Sequence, residues 1–451
     1  MIRIETMTRT KNMTRGLIAA LVALPLASCG IFGGSDDPQT PTVGNRVPIL
    51  SRIEAGAAVD PALANVAVVL PTAQQNADWP QPGGTAGNAI GHVALSATPS
   101  QVWSTQIAGS STRRRLASSP VVGGGLLYVV DTDGIVRAYD AATGTSRWRV
   151  DLDLPGDLAP SAFGGGVTYA GGQVFATDGA GNVIALDAQS GNEIWRRKPA
   201  GPLRGAPTVA FNQVFVMTQD NQIHALNAAD GSPVWSQTSA PGQAGVFGVA
   251  APAAAQGTVI AGFSSGELTA YRYENGRNLW SDALAQTSIS TRVGTLTDVD
   301  ADPIIDQGRV YALGQGGRMA AYELLTGQRL WELNIAGIST PAVAGEWLFT
   351  LTDSAKLIAI QRATGRVRWI SQLRAYRDEE DKEDPIFWTG PVAAGNQLWV
   401  ASSRGIVERV DAATGTATQF ADLDEAVSLP PVVAGGMLYI LDDSGRIRAY
   451  R

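Results

Sequence analysis

The sequence predicts an all-β fold: an eight-bladed β-propeller of four-stranded antiparallel blades, its ring closed by pairing an N-terminal strand with the C-terminal blade. Three observations predict it. Composition favours short strands and tight turns, since 51 of the 451 residues are glycine and only 17% are charged. A four-strand motif recurs at spacings of 38 to 51 residues, the range of a propeller blade. The last repeat stops one strand short, and a matching strand stands near the N-terminus.

The N-terminus reads as an export signal over residues 1–28. Arg9, Lys11 and Arg15 precede the apolar run Leu17 to Leu26, which is too short for a stable membrane span. Leu26-Ala27-Ser28-Cys29 resembles a bacterial lipobox, which implies cleavage before Cys29 and lipid on its thiol. Cys29 is the only cysteine of the chain, so no intramolecular disulfide and no thiolate metal cluster can form. Gly30 follows the cysteine, and the absence of aspartate there favours the outer membrane, facing the periplasm. Residues 29–78, rich in Gly, Pro, Ala, Asp and Thr, read as a tether. Ser51 to Leu70 lacks a clean helical period and is read as part of it. The propeller is expected over residues 79–451, with Trp79-Pro80 packing against the ring.

Each repeat opens with a short apolar strand, as in Pro120-Val121-Val122, Pro341-Ala342-Val343 and Pro431-Val432-Val433. An alternating second strand follows. A turn such as Asp131 to Gly134 leads to a third strand with a small residue at Ala138, Ala185, Ala225, Ala270, Ala321, Ala359 or Ala449. A turn glycine recurs at Gly144, Gly191, Gly231, Gly276, Gly327, Gly365 and Gly415, where positive φ is required. Four residues after the first six stand Trp148, Trp195, Trp235, Trp280, Trp331 and Trp369, expected to cover the interface with the neighbouring blade. The seventh unit departs from the pattern, with Gln419 and Phe420 in place of tryptophan and Arg409 in place of alanine. The eighth ends at Arg451 after three strands. Gln101 to Thr105, carrying Trp103, supplies the fourth and removes the exposed edges.

The Ala-x-Asp-x-x-x-Gly-x-x-x-Trp pattern of Ala138 to Trp148 resembles the repeat of the quinoprotein-like propellers. Within them, the lipobox and two loop motifs resemble the propeller lipoproteins of the outer-membrane β-barrel assembly machinery. The motifs are Leu203-Arg204-Gly205 and Asp298-Val299-Asp300. The resemblance implies a non-catalytic periplasmic scaffold without cofactor. It would bind the central β-barrel subunit through that subunit's POTRA domains and assist insertion of outer-membrane proteins. It also implies that Leu203, Arg204, Asp298 and Asp300 form the docking site, with nascent outer-membrane proteins as further partners. Both motifs lie in connectors from a fourth strand to the next first strand, between blades 2 and 3 and between blades 4 and 5. They are therefore expected on one face, about 90° apart around the rim.

Other functions are disfavoured by what the chain lacks. A net charge of −7 without a long basic stripe argues against nucleic acid. The superfamily includes quinone-dependent dehydrogenases, but the first strands, expected to line the channel, carry Val, Ala, Pro and Gly and no oxygen-ligand set for calcium. His92 and His224 are too few for most metal sites, and His224 is read as a surface residue. The quinone-dependent enzyme and a propeller binding a ligand in its channel remain the alternatives. Arg113 to Arg115 and the run Arg374 to Asp384 are read as solvated charges of the connector face, the latter followed by the apolar Pro385 to Trp388.

Overall fold

The computed structural model describes residues 56–154, 164–240, 250–284 and 298–451. The signal segment, Cys29 and the tether up to residue 55 lie outside the described residues. Eight four-stranded antiparallel sheets are present, together with one two-stranded hairpin. Seven blades use consecutive strands, running from Val121–Asp151 in blade 1 to Trp388–Asp422 in blade 7. Blade 8 joins Val432–Ala434, Met437–Leu441 and Arg446–Tyr450 to the N-terminal strand Gln101–Gln106. Trp103 pairs with Ala449 in the register expected from the repeat. The closure is locked by reciprocal backbone bonds between Ser100 and Arg451, each 2.8 Å.

The recurring alanine, glycine and tryptophan form one device, repeated seven times. Each alanine faces its own blade's tryptophan across the third and fourth strands, as in Ala138 with Trp148 and Ala321 with Trp331. All seven alanines are fully buried, because the indole lies over the methyl. The indole then crosses to the next blade and lies on its turn glycine, where φ is between 68° and 76°. Its Nε1–H donates to the carbonyl three residues before that glycine, at 2.6–3.1 Å: Trp103 to Ala141, Trp148 to Ala188, and so on to Trp369 and Ala412. Where the ring is buried, at Trp103, Trp195, Trp280, Trp331 and Trp369, the satisfied indole contributes about 2–3 kcal/mol, and less where it is partly buried, at Trp148 and Trp235.

Blade 7 lacks this tryptophan for a geometric reason. The next blade's third and fourth strands come from opposite ends of the chain, so no Thr-Gly hairpin stands there for an indole to cover. Phe420 fills the space instead, edge-on to Trp399 and Tyr450 at 5.0 and 5.3 Å. Arg409 reaches across the junction and donates to the carbonyl of Ala97 at 2.8 Å.

The packed domain begins before residue 79. Asp60 bonds Val367 of blade 6, and Leu63 and Val68 are buried. Among the described residues of this stretch, helix is limited to one 3₁₀ turn, Pro61–Leu63, capped by Asp60. Residues 76–93 then run across the inner strands. Trp79 exchanges both backbone bonds with Val122 of blade 1, and Pro80 accepts from Tyr169 of blade 2. Gln81 uses its side-chain amide on Val209 of blade 3. Ala86 and Gly87 accept from Ala254 and Ile305 of blades 4 and 5, Val93 donates to Ala393 of blade 7, and Asn76 accepts from Gly435 of blade 8. First strands leave an inner edge without a partner strand, and this segment supplies one. His92 belongs to the same network: Nδ1 lies 2.7 Å from the Pro71 carbonyl, and Nε2 accepts from the Asn396 N–H at 2.9 Å. Its role among the described residues is structural.

Candidate docking face and central cup

The connectors from fourth to first strands carry both loop motifs. Leu203 sits in the connector after the strand Glu193–Arg197, and its side chain is buried with Phe175, Val183 and Val216 of blades 2 and 3. That anchorage fixes Arg204, whose N–H donates to Met217 at 2.8 Å and whose carbonyl accepts from Gly165 at 2.9 Å. Val299 is the corresponding anchor of the second motif, buried in the core of blades 4 and 5. The residues beside it, Asp298 and Asp300, point back toward blade 3.

The two motifs meet. Arg204 Nη2 lies 2.9 Å from Asp298 Oδ1 and 3.1 Å from Asp300 Oδ1. The side chains of Arg204 and Asp298 are each 1% exposed and that of Asp300 11%, so the guanidinium is held inside the fold and not displayed as a free group on a rim. Desolvating an arginine costs several kcal/mol, which two carboxylates offset only with good geometry. The satisfaction is incomplete, since Arg204 Nε and Asp298 Oδ2 lack hydrogen-bond partners among the described residues. The pair therefore serves as a clasp between connectors two blades apart.

A third carboxylate completes the acidic side of the clasp. Asp302 Oδ1 accepts from the Ala251 N–H at 2.7 Å, and its own N–H donates to Thr340 Oγ1 at 3.0 Å. Two carboxylates thus pair with the guanidinium, and the third lies close enough to feel its charge. Burial, with the negative charge of Asp298, pushes Asp300 up to about 6 against the pull of Arg204. Burial pushes Asp302 up to about 7. The sequence motifs do not include Asp302, although the alternation Asp298-x-Asp300-x-Asp302 is visible there. Nothing in a linear pattern says that an extended connector will turn Asp298 and Asp300 onto one arginine while Asp302 bonds the Ala251 N–H.

Asp300 and Asp302 form part of the wall of a central cup of about 560 Å³. Its floor is the segment around Trp79, Asn88 and Ile90, and its sides are the starts of the first strands, including Ser119, Pro341 and Pro431. Arg115 and Leu116 line it as well, as do Ile338 and Phe387, which are 50% and 62% exposed. The charge run before blade 7 folds into the hairpin Tyr376–Asp378 and Glu383–Pro385, and beyond it Ile386 and Trp388 are buried. Arg114 pairs with Asp133 at 2.8 Å. His224 is half-buried on the third strand of blade 3, 3.2 Å from Gln222 Oε1, and burial lowers its pKa.

A family model described as outer membrane protein assembly factor BamB matches residues 85–159 and 132–371. The chain belongs to the BamB family. Its similarity to the BamB of Salmonella typhimurium is 30% identity over 356 residues, covering 78% of this chain and 88% of that one. The BamB of Escherichia coli K12 is also 30% identical, over 354 residues, with the same coverage of both chains. Among solved structures, BamB from Moraxella catarrhalis superposes with a TM-score of 0.66 at 20% identity, covering 78% of this chain and 99% of that one. Quinohemoprotein alcohol dehydrogenase from Comamonas testosteroni superposes at 0.65 with 15% identity, covering 87% of this chain and 82% of that one, a likeness of fold alone. The BamB relatives are named as assembly factors. The dehydrogenase shares the propeller fold.

Proposed function

We propose that this chain is a non-catalytic scaffold subunit of the outer-membrane protein assembly machinery, anchored by lipid on Cys29 and facing the periplasm. Its docking face is the connector side of the ring, and its partner is the central barrel subunit, bound through POTRA domains. Leu203, Arg204, Asp298 and Asp300 are the residues that build this face. The observation that carries the reading is the Arg204 clasp, which ties the connectors of blades 2–3 and 4–5 into one surface. Leu203, Arg204 and Asp298 act from beneath by holding the loops in register, while Asp300 is open to the cup and able to meet a partner directly. Around it, Ile338 and Phe387 supply exposed apolar area of the kind that anchors interfaces.

The test is co-purification from membranes with the central barrel subunit. Arg204→Glu sets a third carboxylate against Asp298 and Asp300 and is expected to cut recovery at least tenfold; Asp298→Lys has the same effect by opposing the guanidinium. Parental recovery with both variants, each folded by circular dichroism, would refute the docking face. Tight quinone binding with dye-linked alcohol oxidation by the pure protein would instead favour an enzyme.

A further inference from the structure

Blade 7 carries a charge that blades 1 and 8 neutralise internally. In blade 1, Asp131 at the turn between the second and third strands pairs with Arg137, six residues on, at 2.9 Å. Blade 8 repeats the arrangement with Asp442 and Arg448, again six residues apart. At the equivalent positions blade 7 has Ser402 and Glu408. The cation of the pair has become a carboxylate, and its partner has become a hydroxyl already committed to the backbone of Ile406. Glu408 Oε2 is buried and has no hydrogen-bond partner among the described residues. Burial raises its pKa, in keeping with a carboxylate that has no cation beside it.

Glu408 lines a hollow of about 340 Å³ together with Trp388, Ile386, Ile406, Arg374, Arg377 and Arg404. None of the three guanidiniums pairs with Glu408 among the described residues. Arg374 donates to the carbonyls of Tyr376 and Arg377 within its own hairpin. Arg377 and Arg404 share Asp384 at the long distances of 3.9 and 3.6 Å. One hollow therefore offers a carboxylate in need of a donor and three arginines with donors to spare, beside an indole. A purely anionic ligand would satisfy the arginines and leave Glu408 unpaired. A purely cationic one would do the reverse.

We propose that this hollow binds a small zwitterion, its ammonium on Glu408 against the Trp388 ring and its oxyanion on Arg374, Arg377 and Arg404. A phosphoethanolamine headgroup and a free amino acid share this chemistry. The hollow shares Trp388 with the wall of the cup but no residue with the Arg204 clasp, so it holds or fails independently of that pairing.

Calorimetric titration of the full chain with O-phosphoethanolamine, inorganic phosphate and ethanolamine tests it. Phosphoethanolamine is expected to bind at least tenfold more tightly than either half. Glu408→Gln, isosteric and uncharged, should bring its affinity down to that of phosphate, and Arg404→Ala down to that of ethanolamine. Should either variant melt early, Gln419→Trp, at an exposed position lining the hollow, blocks the site without removing a charge and should abolish binding. Displacement by a short-chain phosphatidylethanolamine below its micelle concentration would identify a lipid headgroup, and displacement by alanine alone a free amino acid. Equal affinity for phosphate and phosphoethanolamine, or no change with Glu408→Gln, would overturn the proposal. So would the failure of all three probes to bind.

Discussion

Arg204 is a cation almost wholly removed from water, paired with Asp298 and Asp300 and with Asp302 close by. Asp300 and Asp302 both bind protons more readily in the folded chain than they would unfolded, where an aspartate sits near 3.8. The sign follows: between about pH 4 and 7 the folded state holds more protons than the unfolded one, so these groups favour folding at low pH. That contribution is complete below about 4 and is lost as pH rises through 6 to 7. Asp302→Asn should therefore raise the melting temperature relative to the parent at pH 8 and have little effect at pH 4. The difference between variant and parent is the quantity to measure, because carboxylates with lowered pKa, such as Asp140 and Glu323, act in the opposite direction. A difference that does not depend on pH would refute the assignment. The family resemblance, and not residue identity alone, singles out Leu203, Arg204, Asp298 and Asp300, while the repeat puts both motifs on one face. Their mutual burial is not legible there, because it depends on where two connectors far apart in sequence come to lie.

The third-to-fourth turn is where element and interface coincide. Gly327 has φ of +69°, and a Cβ built there would lie 2.4 Å from Cγ of Trp280, whose indole is already bonded to Leu324. Gly308, with φ of +74°, has nothing within 4 Å. Gly308→Ala should therefore cost only the backbone penalty, about 1 kcal/mol. Gly327→Ala adds displacement of a buried ring and should cost about 3 kcal/mol or more. Denaturant unfolding of the two variants separates the effects, and equal losses would show that the indole contact is energetically empty. The glycine and tryptophan are both legible at a fixed offset in the sequence. That the glycine of one blade serves the tryptophan of the blade before it is a property of the ring, and it explains why blade 7 has no tryptophan.

At the scale of the whole molecule, two noncovalent features stand in for chain continuity. The strand Gln101–Gln106 closes blade 8, and residues 76–93 line the inner edges of the first strands. Trp103→Ala removes the indole that bridges blade 8 to blade 1 through the seam, and should destabilise the fold by about 3–5 kcal/mol. Hydrogen exchange should then rise first in the strands 446–450 and 101–106. Uniform exchange across all blades would show that the seam is no weaker than any other interface. The sequence by itself determined the blade count, the antiparallel register and the borrowed strand, because these follow from a local period with a side chain at each fixed offset. Only the tertiary structure decided that Arg204 is clasped within the chain, that residues 59–78 belong to the folded domain, and that Glu408 lacks the cation its counterparts supply or receive. Each depends on which distant segments share a surface, and burial and charge pairing are properties of that surface and not of any stretch of chain.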